Sequence, residues 1–507
     1  MGGHYEKDIY RQLQELMGRV DSMSKELKDS KKEFKWELKT QEINLKEEFR
    51  QERKQLTDKI EDLEQQLEIK DKEIRRLTDD NERMKSILNN DSSNTSQPPS
   101  TDQKGTRPAN TFNGREKTGR TPGGQKGHKG TTLSKSDVEE RIRSGRCRHE
   151  IRNIGDSSSR KYITKYVIDL KVEPVITEIR IYADKEGKFF IPPKYRSDVT
   201  YGENVKALSI SLYSEGVMSN DRIAAFLNAA GNGELGLSEG SVYAFCRKFG
   251  ANAEQSIRSL EEELLNQRVV ATDATTVTVN GEQNYVRNFS TDRTVVYRAM
   301  KSKAIEALGK LCFLEKYAGI LIHDHETALY HYGRDHGECN VHIIRYLRKN
   351  TEDTGNEWSK EMIRLLCRMN QARKASIDKG LKAFDEETVR GYEREYYALI
   401  KKGHEENEKT LHKYAKSDER TLLNRLEKYS RNHLLFLHDF EVSFDNNMSE
   451  RDLRKVKNRQ KMAGGFRRNS GHEMYCAILT IIETLKKREM GIIENVKKLF
   501  MGTPAIF

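Results

Sequence analysis

The chain has 507 residues, a formal net charge of +11 and a pI near 9.0, so it is long enough for several domains and its charge suits a polyanionic partner. Six scattered cysteines without a Cys-x-x-Cys pair argue against a disulfide framework and an obvious zinc site. Neither a signal-peptide core nor an apolar run of membrane-spanning length occurs; with the basic charge and the cysteine usage of a reducing compartment, this fits the expectation of a soluble, DNA-facing intracellular protein.

Residues 1–90 predict a coiled coil. Leu56, Ile60, Leu63, Leu67, Lys70, Ile74, Leu77, Asn81, Met84 and Leu88 follow alternating steps of four and three, a heptad seam with two polar interruptions. Ile9, Leu13, Leu16, Val20, Met23 and Leu27 share the spacing, and a phase slip between Phe34 and Leu38 resembles a stutter. The expected role is self-association that pairs two subunits; the alternative is a charged helix folded back on its own chain. Residues 91–135 turn to Asn, Ser, Pro, Gly and basic residues, a composition too polar to order itself. They predict a disordered cationic linker in which Lys126 and Lys129 touch phosphates nonspecifically.

Residues 136–200 predict a small β-rich module, with YITKYVIDL and VITEIRIYA as paired strands. Residues 201–262 read as helical. MSNDRIAAFLNAAG and LSEGSVYAFCRKFG have the length of a helix-turn-helix, with Ser219 and Ser238 as caps and Arg247 and Lys248 as groove contacts on the second helix. Simple packing is the competing role for such a pair.

Three later segments carry the chemistry. Asp273 lies in the β-branched run Val269 to Val279, where a buried carboxylate needs a cation or saturating hydrogen bonds. Asp324 ends the apolar run Ala318 to His323, a strand tip suited to a metal ligand. Glu450 follows the helix-start signal Asp445-Asn446-Asn447, on a face that continues through Arg454, Lys457 and Lys461. Such a helix can give one carboxylate to a metal and lay its cations along a phosphate backbone. Hard Mg²⁺ prefers oxygen ligands, and two ions about 3.5–4 Å apart can activate water and stabilise a leaving oxygen.

In their order, PPSTDQKGTRP, REKTGRTPGGQKGHKG, ATDATTVTVNG, GILIHDHETALY, DNNMSERDLRKVKNRQKMAGGFRRNSG and IIETLKK closely resemble the transposases of the insertion sequence 66 family, from about residue 90 to the C-terminus. The resemblance implies an RNase H-like catalytic domain with an Asp-Asp-Glu triad, here Asp273, Asp324 and Glu450, which would hold two Mg²⁺ or Mn²⁺ ions. It places the first part of that domain at 263–338 and the C-terminal part at 437–507. The charged helical sequence of 339–436 then reads as an all-helical insertion.

The expected fold class is therefore multidomain α+β: coiled coil, β-rich module, helix-turn-helix-like region and RNase H-like α/β domain with a helical insertion. His342 matches a histidine-and-basic motif of the family and is a candidate phosphate contact, as are Arg451, Arg454, Lys457, Arg467 and Arg468. Gly464, Gly465 and Gly471 would let loops pass close to a DNA strand. The family's zinc module normally uses cysteine pairs, and this chain keeps only Cys147 and His149 there, so no zinc is expected. The implied function is transposition on the element's ends and a target DNA, in the bacterial cytoplasm at the nucleoid, with accessory proteins encoded beside it. The competing functions are a metal-dependent nuclease without transposition and a silent DNA-binding remnant.

Overall fold

One uninterrupted helix, α1 (Tyr5–Leu88), opens the computed structural model, which describes residues 5–91, 94–95, 133–145, 147–153, 163–168, 170 and 172–503. The chain divides into two compact units, one built on α1 and the other holding nearly everything after it. The seam residues of α1 stay half exposed or more, Leu63 at 50% and Leu67 at 61%. Most of the basic linker, including Lys126 and Lys129, lies outside the described residues.

In the region expected to be β-rich, the described residues form α2 (Lys135–Arg143), capped by Ser134, and a 3₁₀ turn at Pro193–Tyr195. Among the described residues the two predicted strands are not formed. The described part of the region carries an isolated bridge, Ala183 to Phe189, which does not join the two expected segments. The physical reason is exposure: Ile163, Val167 and Ile176 are 84, 92 and 97% accessible, and a lone hairpin without a layer to cover it is marginal in water.

Four helices follow: α3 (Glu203–Ser214), α4 (Asn220–Ala230), α5 (Glu239–Asn252) and α6 (Glu254–Leu265). Ser219 and Ser238 cap α4 and α5 by accepting from the backbone N–H of Arg222 and Ser241. The link between α4 and α5 is longer than the three or four residues of a tight helix-turn-helix, and the Asn228 amide clamps both backbone groups of Leu237 across it. Val242, Phe245, Cys246 and Phe249 of α5 enter the main core, leaving Tyr243, Arg247 and Lys248 outside.

The sheet has the order β3-β2-β1-β4-β5. β1 (Val269–Val279), β2 (Glu282–Ser290) and β3 (Val295–Met300) form an antiparallel meander. Next come the short helices α7 (Ile305–Gly309) and α8 (Cys312–Lys316), then β4 (Ile320–His323), parallel to β1, and β5 (Asp335–Glu338), parallel to β4. Val270, Ala271 and Thr272 are all buried in succession, as expected of a strand covered on both faces.

The sequence after β5 is helical: α9 (Asn340–Thr354), α10 (Glu357–Asp378), α11 (Glu386–Lys409), α12 (Lys413–Lys428) and α13 (Ser430–His438). Their apolar faces, including Ile343, Trp358, Met362 and Leu434, pack with Ala271, Ile320 and Ile322 of the sheet. The chain then returns through α14 (Asn447–Asp452) and α15 (Arg454–Ala463), parted at Leu453, and ends in α16 (Asn469–Lys487) and α17 (Ile492–Phe500). Helix α16 covers the opposite sheet face with Ile478, Ile481 and Ile482, beside Val286 and Phe289. Among the described residues no helix is long and apolar enough to cross a membrane.

Candidate active site

Strand register brings the first two acids level. β1 and β4 pair in parallel with Ala271 opposite Ile322, so two residues further along Asp273 and Asp324 occupy matching positions at the end of the ladder. The third acid arrives from above on α14. Asn288, opposite Asp273 on β2, accepts from the Asp273 N–H at 3.1 Å and from Ser449 Oγ at 2.6 Å, and it donates to the Ser449 carbonyl at 2.9 Å. One buried amide thus ties the strand of the first acid to the residue preceding Glu450. Two further contacts hold α14 down: Asn446 donates to the Thr272 carbonyl at 2.9 Å, and Ser290 donates to the Asp452 carboxylate at 2.8 Å.

Ligand atoms of Asp324, Glu450, His342 and Cys339 lie within 4.8 Å of one another. His342 Nδ1 is 3.3 Å from Asp324 Oδ1 and 3.9 Å from Glu450 Oε1, yet none of these three buried atoms has a hydrogen-bond partner. Asp273 stands outside that foursome and meets it through charge. Burial and the nearby Asp324, with a smaller push from Glu450, raise the Asp273 carboxyl to about 6, against the opposing Ala274 N–H and Lys303 ammonium. Burial and Asp324 likewise raise Glu450, against the pull of His342, Arg345 and Lys457. Burial would also raise Asp324, but the imidazole of His342 3.3 Å away, with help from Asn446, holds it below the usual range. Burial disfavours a charged His342, and Asp324 and Cys339 outweigh it, lifting the imidazole to about 11.

Orphaned carboxylate oxygens crowded together suit a hard cation, which prefers oxygen donors and removes the mutual repulsion. Cys339 fits that role poorly. Burial and Asp324 push its thiol up, and Sγ already accepts the Asn446 N–H at 3.3 Å. Among the described residues, the oxygens that such a cation could take here are those of Asp324 and Glu450, with Asp273 outside the cluster of ligand atoms.

Beside Asp324, the chain turns sharply at His325, whose φ of 53° is unusual for a residue with a side chain. Its Nδ1 donates to Glu338 Oε1 at 2.6 Å, and the fully buried Glu338 also receives Tyr330, Arg425 at 2.7 Å and His433 at 3.1 Å. Burial pushes Glu338 up, but the bonds from His325 and His433 and the charge of Arg425 outweigh it, so its carboxyl stays far below the usual range. Arg425 and His433 belong to α12 and α13, so the helices inserted after β5 brace the turn next to the second acid.

The remaining candidates disperse. His342 is 7% exposed and faces the acids on one side and Arg345 Nη1, 3.3 Å away, on the other, rather than a free surface. Arg451 and Arg454 are exposed beside Glu450, and Lys457 is half-buried on α15. Arg467 and Arg468 line, with Lys301 and Asn280, a cleft of about 420 Å³ at the far end of β1. Gly464 and Gly465 have an intramolecular purpose. Gly464 ends α15 in the left-handed region, and a Cβ on Gly465 would stand 2.3 Å from the Thr278 carbonyl, where Phe466 joins β1. Asn288, Ser449 and Glu338 escaped sequence reading, because isolated Asn, Ser and Glu residues carry no spacing signal; Asn446 was read only as part of a helix start, and its bond to the Thr272 carbonyl was not foreseen.

The family model described as Transposase IS66 family matches residues 199–474, more than half of the chain, from α3 into the first turns of α16. The chain belongs to the IS66 transposase family. Among curated proteins none matches the chain. Membership of this transposase family makes DNA the partner, and places the matched segment from before α3 into α16. All three acids lie inside it.

Proposed function

We propose that the protein is a DDE-type transposase that hydrolyses DNA at the ends of an insertion sequence and joins the freed ends to a target. The observation that carries this reading is the approach of Asp324 and Glu450, with Asp273 level on the adjoining strand, from three distant segments of an IS66-family chain. The sheet order, with a meander followed by two parallel strands, supports the RNase H-like reading of the catalytic domain. Asp273, Asp324 and Glu450 would hold a pair of Mg²⁺ or Mn²⁺ ions. When bound, such ions supply Lewis-acid stabilisation of charge developing on the phosphodiester and activate water.

In the hydrolytic step, water attacks a phosphodiester at the element's end, the P–O3′ bond breaks and a 3′-hydroxyl leaves. In the second step that hydroxyl attacks a target phosphodiester, forming one P–O bond as another breaks. The protein's own contribution is position and charge. Asn288 and Asn446 fix the helix of Glu450 over β1, and exposed Arg451 and Arg454 offer guanidinium forks to the flanking phosphates. Arg467 and Arg468, and Arg247 and Lys248 on α5, extend the basic surface, and α1 pairs subunits so that two ends can be held together.

The test is incubation of the full chain with labelled DNA carrying the element's ends, a supercoiled target and Mg²⁺. Joined products support transposition. Nicking of any DNA or RNA, indifferent to the ends and without joining, would assign the site to a nuclease instead.

A further inference from the structure

A single helix of 84 residues cannot cover its own apolar stripe, and α1 leaves that stripe in solvent. Heptad lettering of its second half puts Ile60, Leu67, Ile74 and Leu88 at a, and Leu56, Leu63 and Leu77 at d. Two of the five a positions are Ile, and Leu predominates at d, where Lys70 and Met84 are the exceptions; Ile at a with Leu at d favours two parallel strands. Asn81 takes the a position between Ile74 and Leu88. An Asn there can bond its counterpart only when two helices run parallel and in register, since any stagger sets its amide against an apolar layer.

The flanking charges agree. In a parallel pair, each g residue meets the e residue of the next heptad on the other chain. This sets Lys59 against Glu64 and Asp80 against Lys85, each contact occurring twice. The other two contacts, Gln66 with Asp71 and Glu73 with Thr78, contain no like charges. An antiparallel pair would set g against g and e against e, and lose both attractive contacts.

The slip in the first half does not end the seam. Met23, Phe34, Leu45 and Leu56 recur every eleven residues, as do Leu27, Leu38, Phe49 and Ile60. An eleven-residue period keeps one face apolar while relaxing the left-handed supercoil. The helix runs through it unbroken.

We propose that α1 forms a parallel, in-register, two-stranded coiled coil with a second copy of this chain, its register fixed by Asn81. This deepens the reading of α1 as the pairing element and rests on it. Sedimentation equilibrium of the full chain, with the single variants Asn81→Cys and Lys70→Cys under oxidation or with a short bis-maleimide, separates the two. Wild type serves as control because Cys147 is exposed. The expected result is a dimer in which each variant cross-links to its own copy while wild type does not. Two different positions cannot both sit on the dyad of an antiparallel pair. A dimer in which one or neither position cross-links, or a trimer, overturns the parallel register alone; a monomer overturns both it and the pairing role. Lys59→Glu is expected to weaken dimerisation several-fold and Lys59→Glu with Glu64→Lys to restore it; no recovery would contradict the charge assignment.

Discussion

Asn288 is fully buried and engages β1 with one bond and α14 with two. Removing its amide orphans the Asp273 N–H and the Ser449 hydroxyl, a cost of roughly 1–3 kcal/mol for buried groups left unpaired. Asn288→Ala is therefore expected to lower the free energy of unfolding by that amount and to reduce turnover beyond what stability explains. Normal turnover in the folded fraction would show that Glu450 is positioned by other means. Glu338 gives a second prediction. Its folded carboxyl titrates far below the ordinary 4.5, so the stability it contributes is fully present above about pH 4.5 and drains away as pH falls toward the folded value. Glu338→Gln should lower stability at pH 7 by about 3–5 kcal/mol, because Arg425 loses its partner, and the gap from wild type should narrow below pH 4.5. A gap independent of pH in urea melts would rule out this linkage. The places of the three candidate acids, in β1, just after β4 and in α14, were legible because each sits in a short segment whose pattern marks a strand, a strand tip or a helix start. Asn288 was not, since its value comes from partners 15 and 161 residues away.

Elements were legible where their periodicity had something to pack against. β1 and β4 read correctly as strands because both faces find cover, and the helices of residues 340–438 read as helices because their charged faces alternate with a buried one. YITKYVIDL and VITEIRIYA carry the same β-branched signal, but no layer in the described chain accepts their side chains, and propensity alone does not order a hairpin. The Gly464-Gly465 pair illustrates the opposite case, a sequence signal read for DNA but explained by the protein's own backbone. Gly465 has φ 125° and touches Thr278, so Gly465→Ala is expected to cost about 1–3 kcal/mol from backbone conformation alone, with added cost from the clash. A thermal melt matching wild type would contradict the close approach of this loop to β1.

At the scale of the whole molecule, 90 Lys and Arg residues outnumber 79 Asp and Glu, and both are spread along the chain, far beyond the three candidate acids. Exposed Arg451, Arg454, Arg467 and Arg468 lie on both sides of the polypeptide turn that follows α15, and each that meets a phosphate should release counterions. DNA affinity is expected to fall linearly on a log–log plot against salt, and each Arg→Ala change among the four should shrink the slope by roughly 0.9. Unchanged slopes would put the DNA path elsewhere. The decisive measurement is metal-dependent cleavage at the element's ends by wild type, Asp273→Asn, Asp324→Asn and Glu450→Gln, with DNA binding recorded in parallel. The account expects all three variants to fold and bind DNA while losing cleavage and joining together; a variant that cuts like wild type would remove that acid from the site.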